Sequence, residues 1–124
     1  MITAVLPITI LSASLNFFAF IHFCNDAGDI LHFAFYHQSY LREIQATPSN
    51  GEPRLDVINL GGMIWSSRGY VYDESDEVSR DASAQSTAWK VRTQGTELSC
   101  GYFARPIPGH FPVTRHWYVA SFNC

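Results

Sequence analysis

The sequence contains no cluster of Lys and Arg. Its eight basic and eleven acidic residues give a formal net charge of -3 at pH 7. A protein that binds nucleic acid usually presents a basic patch to the phosphates, so the composition predicts no nucleic-acid partner. The balance is not strongly acidic either, and charge alone therefore indicates no class of partner.

Motifs for catalysis, metals and cofactors are also missing. The three cysteines, Cys24, Cys100 and Cys124, are too far apart for a zinc-type C-x-x-C pair. There is no Gly-x-Ser-x-Gly elbow, and no His pair has the zinc-protease spacing. The acidic run Asp73–Glu77 lacks the spacing of a calcium loop and is predicted to be a solvated turn. We predict no metal and no cofactor, and the composition favours a non-enzymatic domain.

Charge is absent altogether between Ile2 and Cys24, where most residues are apolar. A helix of about 20 mostly apolar residues is long enough to cross a bilayer. We therefore predict a membrane-spanning helix over residues 1–25. The alternatives are a cleaved signal peptide and a buried core helix, although a helix that is apolar on every side is hard to cover in a small soluble domain.

Residues 26–124 have the pattern of a small α+β domain. The polar break at residues 25–28 is either a turn or the membrane exit of a continuous helix. After it, Asp29 is a candidate N-cap for a second, amphipathic helix that ends near Ala46, before Pro48. Its apolar stripe recurs at helical spacing and is expected to pack on a sheet. The stripe consists of Ile30, Phe33, His37, Tyr40, Leu41 and Ile44.

Strand-like runs dominate the rest of the chain. They cover residues 55–60, 63–72, 97–104 and 117–124, and Gly61-Gly62 is a typical two-residue hairpin signal between the first two. These runs predict an antiparallel sheet of about four strands after the helices.

The last two cysteines bear on the cellular compartment. Side chains alternate between the faces of a strand, and a hairpin centred near Pro112 places Cys100 opposite Cys124. We predict a disulfide between them, with two buried free thiols as the alternative. Because disulfides persist in oxidising compartments, this predicts a single-pass membrane protein whose C-terminal domain lies outside the cytoplasm.

A helix followed by an antiparallel sheet and a C-terminal cysteine pair resembles the architecture of type IV pilins. The pilin signature adds a basic leader, a cleavage Gly and a Glu near the start of the mature helix. The segment from Ile2 to Cys24 contains none of these. The resemblance is therefore one of architecture alone, and no site residue is carried over from it.

The segment between residues 105 and 117 is the predicted contact surface. Exposed aromatic residues with Arg are common interface anchors, and the candidate binding residues are Arg105, His110, Phe111, Arg115 and Trp117. The alternative is a packed connection without a partner. Together these features predict a membrane-tethered, non-enzymatic domain that binds a protein or a cell-envelope component.

A small hydrolase is the alternative function. It would use His110 or His116 with a carboxylate, held within hydrogen-bond reach in a concave pocket. A binding module would instead show an exposed apolar patch and scattered histidines.

Overall fold

The fold is α+β, with one long helix and a four-stranded antiparallel sheet. A computed structural model describes residues 5–63, 65–108 and 114–124. The chain divides into two compact units between Gln38 and Ser39. Helix α1 spans Val5–Ala46, and the short helix α2 spans Thr87–Thr93. The strands are β1 (Leu55–Met63), β2 (Ser66–Asp73), β3 (Tyr102–Pro106) and β4 (Trp117–Phe122).

Helix α1 is continuous, so the prediction of a separate second helix beginning at Asp29 is wrong. The polar residues 25–28 lie inside α1. None of them is proline, and a single Gly costs a helix only about 1 kcal/mol. The predicted end at Ala46 is confirmed, because Pro48 cannot continue the helix. No helix in the described part of the chain has both the length and the apolar character that crossing a membrane requires.

The predicted antiparallel sheet is confirmed, with strand order β1-β2-β4-β3. The turn between β1 and β2 is three residues later than predicted, between Met63 and Ser66. Gly61 instead forms a β-bulge with a backbone φ of 86°, which glycine tolerates best. A Cβ at Gly62 would collide with the carbonyl oxygen of Ser66, so the second glycine permits a close approach of the strands.

The register of the last hairpin is confirmed. Tyr102 lies opposite Phe122, and continuing the register by two residues places Cys100 opposite Cys124. These two residues form a disulfide with a Cα–Cα distance of 5.4 Å. The strand begins later than predicted, because residues 97–99 form a 3-10 turn in which the Thr96 hydroxyl accepts from the amide of Leu98.

The central strand β4 is buried on both faces. One face packs under α2 and the nearby turns around a core of Val71, Val78, Trp89, Leu98, Tyr118, Ala120 and Phe122. The other face buries Tyr70, Trp117 and Val119. On that side the Tyr40 ring lies 6.3 Å from the Tyr70 ring, which brings the last turns of α1 onto the sheet as the apolar stripe predicts for Tyr40.

The two ends of the sheet differ in chemistry. We call the end where β2 stops at Asp73 and β4 starts at Trp117 the acidic end, because the run Asp73–Glu77 follows it. We call the opposite end, with the β1–β2 turn and the disulfide, the hairpin end.

Candidate functional site at the acidic end of the sheet

The acidic run begins with a fully buried carboxylate. Asp73 is the last residue of β2, and its exposed fraction is 0%. Its backbone amide donates to the carbonyl of His116, 2.9 Å away, which ties the end of β2 to the residue before β4. The run therefore leaves the sheet beside the start of the central strand.

Four donors surround the Asp73 carboxylate. The amide and the hydroxyl of Ser75 donate to Oδ1, at 2.9 and 2.5 Å. The amide of Val78 donates to Oδ2 at 2.8 Å, and the indole Nε1 of Trp89 donates to the same oxygen at 3.1 Å. The bonds from Val78 and Trp89 satisfy donors that would otherwise be buried without a partner, so the carboxylate holds these two segments in place.

A histidine–carboxylate pair lies next to it. His116 Nδ1 is 2.9 Å from Asp76 Oδ1, and the Tyr118 hydroxyl donates to that oxygen at 2.7 Å. Asp76 and His116 both have left-handed backbone, with φ of 55° and 66°. Non-glycine residues hold this conformation only where the surrounding structure imposes it, and such positions are enriched at functional sites.

The electrostatics of this pair favour an ionised Asp76. Partial burial opposes ionisation, but the hydrogen bonds from His116 and Tyr118 outweigh it and lower the pKa of Asp76. Burial, followed by the hydrogen bond to Asp76, raises the pKa of Tyr118 to about 12. The phenol therefore remains a neutral donor at physiological pH, and Asp76 remains its acceptor.

The other acidic residues of the run are also bound. The amide of Arg54 donates to Glu74 at 2.8 Å and, as the largest cause, lowers the pKa of Glu74. The amide and hydroxyl of Ser86 donate to the Glu77 carboxylate at 2.7 and 3.0 Å. The prediction of a simple solvated turn is therefore wrong, because the run anchors three neighbouring segments.

The predicted contact residues are not all available at the surface. Trp117 is only 2% exposed, and its ring packs edge-on against Tyr72, 5.1 Å away. Arg115 is exposed, and its charge helps to lower the pKa of Asp76. Arg105 is half-buried on β3, opposite Val119. His110 and Phe111 lie outside the described residues.

The arrangement could support acid–base chemistry only in part. A carboxylate on Nδ1 fixes the orientation of an imidazole, which is what a general base requires. However, His116 lines neither of two surface grooves, one of about 490 Å³ beside β1 and one of about 430 Å³ beside β3. Across the described ranges, no three His, Cys, Asp or Glu residues come together as metal ligands.

Sequence reasoning named His116 but missed its partners Asp76 and Tyr118. One local signal was present for Asp73, because Asp followed two residues later by Ser often forms a side-chain-capped turn. No local signal connects Asp76 with His116, which is 40 residues later in the chain.

No protein family, no curated protein and no solved structure matches this chain.

Proposed function

We propose that the chain is a small membrane-tethered, non-enzymatic domain that lies outside the cytoplasm and binds a protein or a cell-envelope component. The apolar surface of α1 between Leu15 and Phe23 carries the proposal. Five of its side chains are 61–70% exposed, namely Leu15, Phe17, Phe18, Phe20 and Phe23. Burying a side chain of this size contributes about 1.5–3 kcal/mol, so contact of this surface with lipid or with an apolar partner is favourable.

The exposed residues surround the helix. At about 100° per residue, these five side chains and Ile21 leave no gap wider than about 80° around the axis. A helix that packs against one partner needs an apolar stripe on one side only. Lipid covers all sides of a helix equally. The sequence from Ile2 to Cys24 contains no charged residue, so the mostly apolar composition continues beyond these six residues. Residues 2–4 of that segment lie outside the described residues.

The disulfide supports the proposed compartment. Cys100 and Cys124 are bonded, and Cys124 is exposed at the surface. Thiol-based reductants keep exposed disulfides open in the cytoplasm, whereas secretory compartments preserve them. An exposed structural disulfide is therefore easier to maintain outside the cytoplasm.

The tether is tested by placing one Lys on each of three sides of α1. Phe17→Lys, Phe18→Lys and Phe23→Lys lie about 100–140° apart around the helix. A charge in hydrocarbon costs about 2.5–3.5 kcal/mol, so each variant should lose resistance to carbonate extraction from membranes. Ser39→Lys is the matched control, because Ser39 is exposed and belongs to the second compact unit, Ser39–Cys124, which we call the folded unit.

The outcome distinguishes lipid from a protein cover. Loss of extraction resistance in all three variants, with none in the control, supports the tether. A loss confined to one variant would indicate a partner on one side of the helix. Wild-type protein that is soluble without detergent would contradict the proposal.

The binding role is tested at Arg115, the exposed member of the predicted contact residues. A photoreactive amino acid at position 115 should give a discrete cross-linked product in intact membranes. The same amino acid at Arg80, also exposed, is the control. Equal labelling from both positions, or none from position 115, would contradict a contact surface there.

A hydrolase is the second candidate, and the 2.9 Å contact between His116 and Asp76 is the observation that favours it. Its test is hydrolysis of an activated ester by the full-length protein in detergent. Loss of turnover in His116→Gln and Asp76→Asn, with folding retained, would support acid–base chemistry. Turnover equal to that of wild type in both variants would exclude the pair from catalysis.

A further inference from the structure

Among the described residues of the folded unit, three of the four large exposed apolar side chains lie at the hairpin end. Trp65, in the turn between β1 and β2, is 75% exposed, and Phe103 on β3 is 69% exposed. Leu60, at the β-bulge, is 39% exposed. The register places Phe103 opposite Ser121, and Ser121 opposite Arg68, so Phe103 belongs to the same end as the turn. We call Leu60, Trp65 and Phe103 the apolar tip.

Charge is distributed unequally between the two ends. The segments that form the hairpin end, residues 60–69, 100–103 and 121–124, contain no Asp or Glu. The nearby Glu97 carboxylate accepts a hydrogen bond from Asn59 at 3.2 Å. The opposite end carries the whole run Asp73–Glu77. The hairpin end thus has one neighbouring carboxylate, Glu97, which is hydrogen-bonded, whereas the opposite end has four acidic residues. The end with fewer carboxylates is better suited to a lipid interface, where desolvating carboxylates is costly.

Within the folded unit, the direction of the helical segment Ser39–Ala46 relative to the two ends of the sheet can be derived from its contacts. Tyr40 contacts Tyr70, which pairs with Ile58, whereas Ile44 lines the same groove as Leu55 and Val57. Four helical residues advance by about 6 Å, as do about two strand residues. Ser39–Ala46 therefore run antiparallel to β1, and Ser39 lies nearer the hairpin end than Ala46 does.

We propose that the apolar tip docks on the surface of the lipid bilayer, with the indole of Trp65 at the headgroup level. This inference rests on the proposed membrane tether. Trp is enriched at membrane interfaces because its ring is apolar and its N–H remains hydrated. Docking would orient the folded unit with its acidic end, including Arg115 and the His116–Asp76 pair, away from the membrane.

The three tryptophans provide a direct measurement. Trp65 is 75% exposed, while Trp89 and Trp117 are each 2% exposed in the core. Full-length protein is reconstituted into vesicles of phosphatidylcholine and phosphatidylglycerol with bromine on the upper acyl carbons. We expect brominated lipid to remove most of the Trp65 emission, roughly one third of the total if the three rings emit equally, and Trp65→Phe to abolish this loss.

A relocated tryptophan is the matched control. Val91 on α2 is 58% exposed, and α2 also carries Trp89, which bonds to Asp73 at the acidic end. The double variant Trp65→Phe, Val91→Trp should therefore retain its emission in brominated vesicles. Quenching of this variant to the same extent as wild type would overturn the docking orientation.

The remaining outcomes separate the docking from the tether. Protein that resists carbonate extraction but shows equal quenching in wild type and Trp65→Phe overturns the docking and leaves the tether intact. Protein that does not enter vesicles contradicts the tether itself. Shielding of Trp65 from acrylamide in detergent, together with the mass of a dimer, would assign the apolar tip to a contact between copies and overturn the lipid proposal.

Discussion

His116 Nδ1 lies 2.9 Å from Asp76 Oδ1, and both residues have left-handed backbone. Left-handed conformation costs a non-glycine residue about 1–2 kcal/mol. The hydrogen bond thus joins two backbone positions that are unfavourable on their own and 40 residues apart. It holds the turn after β2 against the start of β4. Its contribution to stability can be distinguished by substitution from the energetic cost of the left-handed backbone.

Substitutions at Asp76 should make that separation. Asp76→Ala loses two hydrogen bonds and keeps a Cβ at a φ of 55°, so we expect the lost bonds to reduce the free energy of unfolding by about 1–3 kcal/mol. Asp76→Gly loses the same bonds but tolerates the backbone, and should be about 1 kcal/mol more stable than Asp76→Ala. Urea unfolding of full-length protein in detergent measures both, and equal losses would contradict a strained backbone at this position.

Acid should weaken the folded unit through the same carboxylate. The folded pKa of Asp76 is lowered from its ordinary value of 3.8, so the unfolded chain binds the proton more tightly. The stabilisation is complete above the ordinary pKa and is lost as the pH falls through the lower, folded pKa. Asp76→Asn should therefore flatten the dependence of stability on pH below about pH 4 relative to wild type. Parallel profiles for the two proteins would contradict the assignment.

Local rules were enough to predict the sheet and the disulfide. Alternation along a strand and the symmetry of a hairpin relate Cys100 to Cys124 without any knowledge of the rest of the fold. The end of α1 near Ala46 likewise follows from Pro48. Burial of the disulfide could not be derived in this way, and Cys124 is exposed at the end of the sheet.

The candidate site was harder to predict because strand order determines it. Trp117 looked like an exposed anchor, but β4 lies between β2 and β3 and is covered on both faces. Asp73 looked solvated, but its buried donors come from Val78 and Trp89, on elements that fold back over the sheet. Composition and spacing contain neither fact.

Asp73 should be among the most sensitive polar positions of the chain. In Asp73→Asn, an amide NH2 must face donors that now bind a carboxylate oxygen, so we expect a loss of about 2–4 kcal/mol. Trp89→Phe retains the ring and removes only the bond from Nε1, which should cost about 1–2 kcal/mol. Urea unfolding compares the two, and an Asp73→Asn variant as stable as wild type would show that its buried bonds contribute little.

Gly69 lies inside β2 and should not tolerate a side chain. The sequence pattern of the strand does not indicate this. A Cβ there would collide with the carbonyl oxygen of Ile58 and lie 3.1 Å from the Phe122 ring. Gly69→Ala should therefore cost about 1–3 kcal/mol and weaken the pairing of β1 with β2. Gly101→Ala is the control, because a Cβ at position 101 would lie 3.9 Å from its nearest neighbour, the Cβ of Asn123, which is an ordinary contact distance. Thermal unfolding should separate the two variants, and similar midpoints would contradict the close approach.

The disulfide gives the last prediction, because Cys100 and Cys124 anchor the C-terminal end of the chain to the segment before β3. Their separation of 24 residues closes a loop for which the loop-entropy relation gives about 3 kcal/mol. Cys100→Ala or Cys124→Ala should therefore cost about 2–5 kcal/mol, whereas Cys24→Ala, at an exposed free thiol, should change stability by no more than about 0.5 kcal/mol.

The covalent state is read by alkylating the protein in intact cells before unfolding, and then mapping its peptides without reduction. A cross-linked peptide that contains Cys100 and Cys124, with label on Cys24 alone, is the expected result. Because Cys124 is exposed, the reductants of a reducing compartment would reach this disulfide and open it. Label on all three cysteines would thus contradict both the native disulfide and the placement of the domain outside the cytoplasm.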